Sequence, residues 1–150
     1  MKILFVCSGN TCRSPLAAAI AKSLLDDAGR TDVDVSSAGT QAWEGSPASD
    51  GALLVGMERN LDLSGHRSRA LTENIVKESD LILAMSTAHL SRVKELDPQA
   101  RVHLLAGFTA GDNSGRSIQD PFGGDLADYR ETADDLEEEL AGLLERIGAT

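Results

Sequence analysis

Residues 2–15 have the sequence Lys-Ile-Leu-Phe-Val-Cys-Ser-Gly-Asn-Thr-Cys-Arg-Ser-Pro, in which a short polar loop and a proline follow an apolar run. Because the run at residues 2–6 does not alternate with polar residues, it is typical of a strand buried on both faces. Pro15 suits the first position of a helix, and we expect Ser14 to cap that helix. The stretch therefore predicts a strand, a loop over residues 7–14 and a helix.

Three further stretches, at residues 33–38, 81–85 and 102–105, predict strands. Helical spacing of apolar residues predicts helices from Pro15 towards Gly29 and at residues 48–59, 72–78, 87–96 and 125–147. Residues 107–124 are expected to form a long loop. Strands that alternate with helices predict an α/β fold whose parallel sheet binds ligands beyond the carboxyl ends of its strands.

Composition limits the classes of protein to consider. The chain has 150 residues, 41% of them hydrophobic, and a net charge of -10, which fits a single domain over residues 1–150 and argues against nucleic-acid binding. No apolar run approaches the roughly 20 residues that span a membrane, so we expect a soluble cytoplasmic protein with no membrane partner. The acidic residues between positions 125 and 145 are expected to form a solvated helix face.

The two cysteines, Cys7 and Cys12, are too close in sequence for a useful structural disulfide, so reduced thiols are expected. The three histidines, His66, His89 and His103, form no cluster in the sequence. We therefore expect no metal and no cofactor.

The loop between the predicted strand and helix has the features of an anion site. Its backbone amides lie at a helix N-terminus, and Arg13 offers a planar set of donors that suits phosphate. In that setting the pKa of Cys7 is expected to fall, which would make its thiolate a nucleophile. The alternative is a buried core cysteine beside a helix cap.

A cysteine that takes up a phosphoryl group also needs an acid to protonate the leaving atom. Asp120, before Pro121 in the long loop, is the candidate, although an Asp-Pro pair taken alone is more often a simple turn. The next candidates by loop position are Asp112, Asp125 and Asp128.

The chain resembles the low-molecular-weight phosphotyrosine phosphatase family over nearly its whole length. The resemblance is carried by the stretch at residues 6–15, by Ser37-Ala38-Gly39-Thr40, by Gly65-His66-Arg67-Ser68-Arg69 and by Asp120-Pro121. It implies a three-layer fold with a four-stranded parallel sheet in the order 2-1-3-4. It further implies that Cys7 is the nucleophile, Arg13 the phosphate clamp and Asp120 the general acid and then base.

The resemblance also implies roles for supporting residues. Ser14 would stabilise the leaving thiolate, and Asn10, Ser37 and His66 would form a network that holds the loop. Cys12 has two interpretations, a reversible disulfide partner of Cys7 or a small packing residue. Trp43 is either a pocket-rim aromatic or a packing residue. The expected substrate-binding residues are Ser8, Gly9, Asn10, Thr11, Cys12, Ser14, Trp43 and Phe122.

Within this family the chain is most similar to the protein-arginine phosphatase branch, because of Thr11, residues 120–124 and residues 129–132. A threonine leaves room and a polar partner for a guanidinium, whereas a larger aliphatic residue suits a phenol ring. Residues 66–69 and Trp43 resemble the tyrosine-specific branch. We therefore expect phosphoarginine in proteins as the substrate, with phosphotyrosine as the alternative.

Two other functions rank below these. Arsenate reductases share the loop but need cysteines downstream of Cys12, and none occurs. An inactive phosphate-binding module would be expected to lack Cys7, Arg13 or Asp120.

We expect a monomer acting on phosphorylated proteins. Replacement of Cys7 by serine is expected to abolish turnover, since a hydroxyl should not attack phosphorus as a thiolate does.

Overall fold

The computed structural model describes residues 1–111 and 115–147. Four parallel strands form one sheet in the order β2-β1-β3-β4, which confirms the predicted topology. Cys7 at the end of β1 is in register with Gly39 at the end of β2. The strands are β1 (Lys2–Cys7), β2 (Asp34–Gly39), β3 (Leu81–Ala84) and β4 (Val102–Leu104).

The central strand β1 contributes to two cores because its successive side chains point to opposite faces of the sheet. Ile3, Phe5 and Cys7 belong to the larger core, and Leu4 and Val6 to the smaller one on the other face. This double burial explains why the strand is an uninterrupted apolar run rather than an alternating one.

Six helices cover the two faces within the described residues. On the face of the larger core lie α1 (Arg13–Asp27), α2 (Asp50–Glu58), α5 (Leu126–Leu140) and α6 (Leu143–Ile147), and on the other face lie α3 (Glu73–Glu78) and α4 (Thr87–Leu96). Side chains at the N-caps of α2 to α5 accept backbone hydrogen bonds, as helix starts require; they are Ser49, Thr72, Ser86 and Asp125.

The start of α1 differs from the prediction. The helix begins at Arg13 with Cys12 as its N-cap, and no side chain caps it. Ser14 therefore is not the cap; it lies inside the first turn and its hydroxyl contacts Cys7 instead. The loop is thus shorter than expected, and the positive end of the helix lies directly against it.

The predicted final helix is two helices, because the chain leaves α5 at Ala141 and begins α6 at Leu143. A side chain at Gly142 would contact Thr109, whose hydroxyl donates to the Glu139 carbonyl, so the break lies where the chain passes close to another segment. Asp112, a reserve candidate for the general acid, lies outside the described residues.

Charged side chains join α2 to α5 on the surface. Arg59 bonds Asp134 and Glu137, and Arg130 bonds Glu58 at 2.6 Å. Exposed pairs of this kind contribute about 0 to 1 kcal/mol each. No helix within residues 1–111 and 115–147 is long and apolar enough to cross a membrane.

Candidate active site

The segment at residues 7–14, which we call the phosphate loop and which includes the first two residues of α1, turns several of its carbonyl groups away from its concave side. The carbonyls of Cys7, Ser8 and Thr11 accept from the amides of Thr40, Gln41 and Ser49 at 2.9 to 3.0 Å. Hydrogen bonds from neighbouring segments therefore hold the phosphate loop on its convex side. Gly39 is required at this junction, because a Cβ there would clash with the Ser8 carbonyl oxygen.

Asn10 holds the phosphate loop in an unusual backbone conformation. Its φ of 57° is left-handed, which few residues other than glycine adopt. The fully buried side chain donates to Ser14 Oγ at 2.8 Å and to Ser37 Oγ at 2.9 Å, and its Oδ1 accepts from the Arg69 amide at 2.9 Å. His66 Nε2 donates to the Asn10 carbonyl at 2.6 Å. The structure thus brings Asn10, Ser37 and His66 together.

Cys7 lies at the floor of the phosphate loop and is only 2% exposed. Burial raises the pKa of its thiol, against the lowering influence of the Ser14 hydroxyl, the amides of Ser14 and Asn10, and the charge of Arg13. The expectation of a lowered pKa is wrong, because the loss of hydration on burial outweighs those contacts. Ser14 Oγ lies 2.9 Å from the Cys7 sulfur.

Arg13 and Asp120 face one another at the pocket. The guanidinium of Arg13 is buried and donates to the Ile118 carbonyl at 3.0 Å, and a second nitrogen lies 3.5 Å from Asp120 Oδ2. The Asp120 side chain is half exposed, and its Oδ1 accepts from the Phe122 amide at 3.1 Å. A cation and a carboxylate therefore lie together above the cysteine.

These side chains enclose a cavity of about 380 Å³. Of the predicted site residues, Cys7, Arg13 and Asp120 line the cavity, together with Ser8, Gly9, Thr11, Cys12, Trp43 and Phe122. Asn10 and Ser14 lie behind the loop in the buried network rather than in the cavity lining. Trp43 is 83% exposed and Phe122 73% exposed, so both are rim residues rather than packing residues.

Comparison with known families agrees with this geometry. The family model described as low molecular weight phosphotyrosine protein phosphatase matches residues 2–150. The chain belongs to this family. It is therefore a phosphatase, with the fold that the sheet order indicates.

Relatives of this phosphatase include two kinds of enzyme by name. The protein-arginine-phosphatase of Geobacillus stearothermophilus is 39% identical over 97% of this chain and 95% of its own. The low molecular weight protein-tyrosine-phosphatase PtpB of Staphylococcus haemolyticus is 37% identical over 91% of this chain and 92% of its own. Family membership alone consequently does not choose between the two substrates.

A solved structure of a C7S mutant of the YwlE arginine phosphatase, with a phosphorylated active site serine, is 36% identical to this phosphatase. It covers 98% of this chain and 95% of its own, with a TM-score of 0.91. A serine in that active site carries a phosphoryl group. The expected loss of turnover in Cys7→Ser stays a prediction for this chain.

Cys12 is a free, buried thiol of the phosphatase with three hydroxyl neighbours, of which Thr11 Oγ1 is the most distant at 3.8 Å. Ser49 Oγ lies 3.2 Å and the Tyr129 hydroxyl 3.4 Å from its sulfur. Burial, and next the bond to Cys12, raise the pKa of Tyr129 to about 12. Helix α5 thus reaches the phosphate loop through Tyr129, which lies in the stretch at residues 129–132 that carries part of the resemblance to the protein-arginine phosphatase branch.

Several residues at the site were not predicted. Gln41 and Ser46 line the cavity, and His89 contacts Ser8. The rule that ligands bind beyond the carboxyl ends of parallel strands could have indicated Gln41, which follows β2, and His89, which follows β3. In the part of the chain that the structure describes, no three His, Cys, Asp or Glu side chains cluster as a metal site would require.

Proposed function

We propose that this phosphatase hydrolyses phosphoarginine in proteins, with Cys7 as the nucleophile that forms a phosphocysteine intermediate. The observation that carries the substrate choice is the cavity wall, where Thr11 and Asp120 line the same pocket as Cys7. The similarity to a named protein-arginine-phosphatase over nearly the whole chain supports it. Phosphorylated proteins are accordingly the substrate class.

The first step transfers the phosphoryl group to sulfur. The loop amides and Arg13 bind the phosphoryl oxygens, for which Arg13 exchanges its contact with Asp120 for one with substrate. Cys7 forms the sulfur–phosphorus bond as the nitrogen–phosphorus bond breaks, and Asp120, in the protonated form that the second step regenerates, gives its proton to the leaving guanidino nitrogen. Ser14, the two amides and Arg13 favour the thiolate against burial, so the step depends on them.

The second step restores the enzyme. Asp120, now a carboxylate, takes a proton from a water that attacks phosphorus. The sulfur–phosphorus bond breaks, and the Cys7 thiolate that leaves accepts a hydrogen bond from Ser14 Oγ, 2.9 Å away. Inorganic phosphate is the product, and no external reductant or metal takes part in these steps.

Thr11 supports phosphoarginine because of its size and its hydroxyl. Its side chain lines the cavity, and its Oγ1 lies 3.8 Å from the Cys12 sulfur, an acceptor too weak to hold it firmly. The hydroxyl is thus able to accept from a guanidinium, and the unprotonated oxygen of Asp120 offers a second acceptor. A phenol ring has no such donors, so these acceptors discriminate against it.

Phosphotyrosine is the second candidate, and the aromatic rim favours it. Trp43 and Phe122 line the cavity and are highly exposed, so they could pack on a phenol ring. They could equally stack on a guanidinium plane. The rim therefore distinguishes the two substrates less well than Thr11 does.

The deciding experiment compares phosphoarginine, phosphotyrosine, phosphoserine and phosphothreonine peptides of one sequence by kcat/KM. The parent is expected to prefer phosphoarginine. Thr11→Ile should move the ratio of phosphoarginine to phosphotyrosine activity towards phosphotyrosine by about tenfold or more, since the guanidinium loses a partner and space. Thr31→Ile, an exposed change before β2, is the control and should leave the ratio unchanged.

Two outcomes would contradict the proposal. A parent enzyme that prefers phosphotyrosine would replace phosphoarginine by the second candidate. A Thr11→Ile variant that loses both activities in equal proportion would show that Thr11 shapes the loop without choosing the substrate. The monomeric state, the cytoplasmic location and the absence of nucleic-acid and membrane partners stay predictions from the sequence.

A further inference from the structure

His89 is a buried titratable residue that the reaction described above does not use. It lies in the first turn of α4 and is 4% exposed. Its Nε2 lies 2.8 Å from Ser8 Oγ in the phosphate loop, and its Nδ1 lies 3.0 Å from Ser86 Oγ at the cap of α4. The imidazole therefore joins the phosphate loop to a different helix, 81 residues further along the chain.

The sheet places this histidine beside the site. Strands β1 and β3 are neighbours and parallel, so the loops that follow them leave the same edge of the sheet. Ser86 follows β3 and caps α4 by accepting from the His89 amide. Rigid elements on both sides thus fix the ring, as positioning of a reactive group requires.

The hydrogen-bond roles follow from counting protons. A neutral imidazole has one N–H, and Ser86 Oγ already accepts from an amide. If Nε2 carries the proton, it donates to Ser8 Oγ, and Ser86 donates to Nδ1. The Ser8 proton is then free for the cavity that Ser8 lines. In the other tautomer, with the proton on Nδ1, the Ser8 hydroxyl donates to His89 Nε2. The lone pairs of Ser8 Oγ would then face the bound anion, which is unfavourable.

We propose that His89 is a positioning residue whose Nε2–H holds Ser8, so that the Ser8 hydroxyl donates to an oxygen of the bound phosphoryl group. This inference rests on the proposed function, because it assigns the orientation of a donor in the same pocket. It makes Ser86, His89 and Ser8 one chain of hydrogen bonds that ends on the substrate.

The surrounding charges keep the ring neutral. Burial, followed by the positive charge of Arg13 on α1, lowers the pKa of His89 to about 4, and Asp120 in the loop before α5 opposes that shift. Above about pH 5 the ring therefore has a single N–H, as the hydrogen-bond count requires.

Two substitutions separate positioning of Ser8 from capping of α4. In His89→Gln the amide group lies near the former Nε2 and can still reach Ser8. In His89→Asn it lies near the former Nδ1 and can still reach Ser86 only. The experiment measures kcat and KM for an aryl phosphate and inhibition by inorganic phosphate in the full chain, with Ser8→Ala alongside. His103→Gln on β4 is the matched control.

We expect His89→Asn and Ser8→Ala to weaken phosphate inhibition about tenfold or more, as loss of a hydrogen bond to a charged group does. His89→Gln should retain most of the phosphate binding. The double variant of Ser8→Ala with His89→Asn should bind phosphate no more weakly than Ser8→Ala alone. If Asn rescues binding and Gln does not, His89 serves the helix cap and the inference is overturned. Unchanged phosphate binding in Ser8→Ala would also overturn it.

Nitrogen NMR of the parent gives a test that needs no variant to fold. Nitrogen shifts of His89 should show the proton on Nε2 in the phosphate complex, and a proton on Nδ1 would overturn the inference. The nitrogen shifts require phosphate binding but no turnover. Failure to hydrolyse any phosphorylated peptide would therefore contradict the proposed function alone.

Discussion

The phosphate loop and the rim of the pocket are built in opposite ways. In the loop, Cys7, Asn10 and Arg13 are buried, and hydrogen bonds from several elements fix them. At the rim, Trp43 and Phe122 are largely exposed, and half of the Asp120 side chain is exposed. The loop thus gains its shape from the core, whereas the rim side chains lie largely in solvent. Substitutions of the buried loop residues are therefore expected to affect stability as well as activity, and substitutions at the rim to affect activity alone.

The largest effect should follow from changing the loop nucleophile. Cys7→Ser is expected to reduce turnover by roughly 10⁴-fold or more, because the thiolate is lost as both nucleophile and leaving group. Given the phosphorylated serine in the YwlE mutant, the variant should accumulate as a phosphoserine enzyme. Intact-protein mass spectrometry after mixing with substrate measures the added phosphoryl group. Steady turnover by Cys7→Ser or by Cys7→Ala would remove Cys7 from the role of nucleophile.

At the rim, Asp120→Asn should lower kcat roughly 10²- to 10⁴-fold, since the leaving group loses its proton donor. The rate should then depend more steeply on the acidity of the leaving phenol in a series of aryl phosphates. Asp125→Asn is the control, because the side chains of Asp125 and Asp128 accept backbone hydrogen bonds in the capping box of α5. An unchanged slope in Asp120→Asn would place the acid elsewhere.

Asn10 and Asn60 form a matched pair that isolates the loop network. Both have a left-handed φ, 57° and 59°, but Asn10 is buried with three side-chain hydrogen bonds and Asn60 is exposed. Asn10→Ala should lower the free energy of unfolding by about 2 to 4 kcal/mol and also reduce kcat, because buried partners are left unsatisfied. Asn60→Ala should cost about 1 kcal/mol through backbone strain alone. Denaturant unfolding of both variants is the measurement, and equal losses would assign the Asn10 effect to backbone conformation.

A rim aromatic should affect binding of large substrates only. Trp43→Ala is expected to raise KM for a phosphopeptide by roughly three- to tenfold with little change in kcat, because an aromatic contact contributes about 0.5 to 1.5 kcal/mol. Met57→Ala on α2, an exposed apolar residue outside the cavity lining, should change neither constant. A fall in kcat without a rise in KM would mean that Trp43 supports the loop and is not a simple rim contact.

The smallest effect concerns the ionisation of Cys7. Ser14→Ala removes a hydrogen bond that favours the thiolate, so the pKa of Cys7 should rise further above its ordinary value. The pH dependence of Cys7 alkylation by iodoacetamide reports this shift, with Ser23→Ala on the same helix as control. Movement of the profile to lower pH would show that the Ser14 hydroxyl favours the neutral thiol.

The parts of the molecule that follow from local pattern were predictable from sequence. The uninterrupted apolar run of β1 and the polar loop after it identified the sheet and the position of Cys7 and Arg13. The contacts of His89 and Tyr129 were not predictable in this way, because they depend on which strand and helix pack beside the loop. The predicted direction of the shift in the Cys7 pKa is wrong for a related reason. The hydrogen-bond donors are visible in the sequence, but the degree of burial is not.

The contacts of Arg13 with Ile118 and of Cys12 with Tyr129 span 105 and 117 residues of sequence. All four strands of the sheet are complete by Leu104, so the sheet can pair before those contacts are made. During synthesis these contacts of the phosphate loop therefore form only after the last third of the chain has begun to leave the ribosome, and the pocket is complete only then. Formation of the sheet and onset of activity should be separate events in time, with activity the later one.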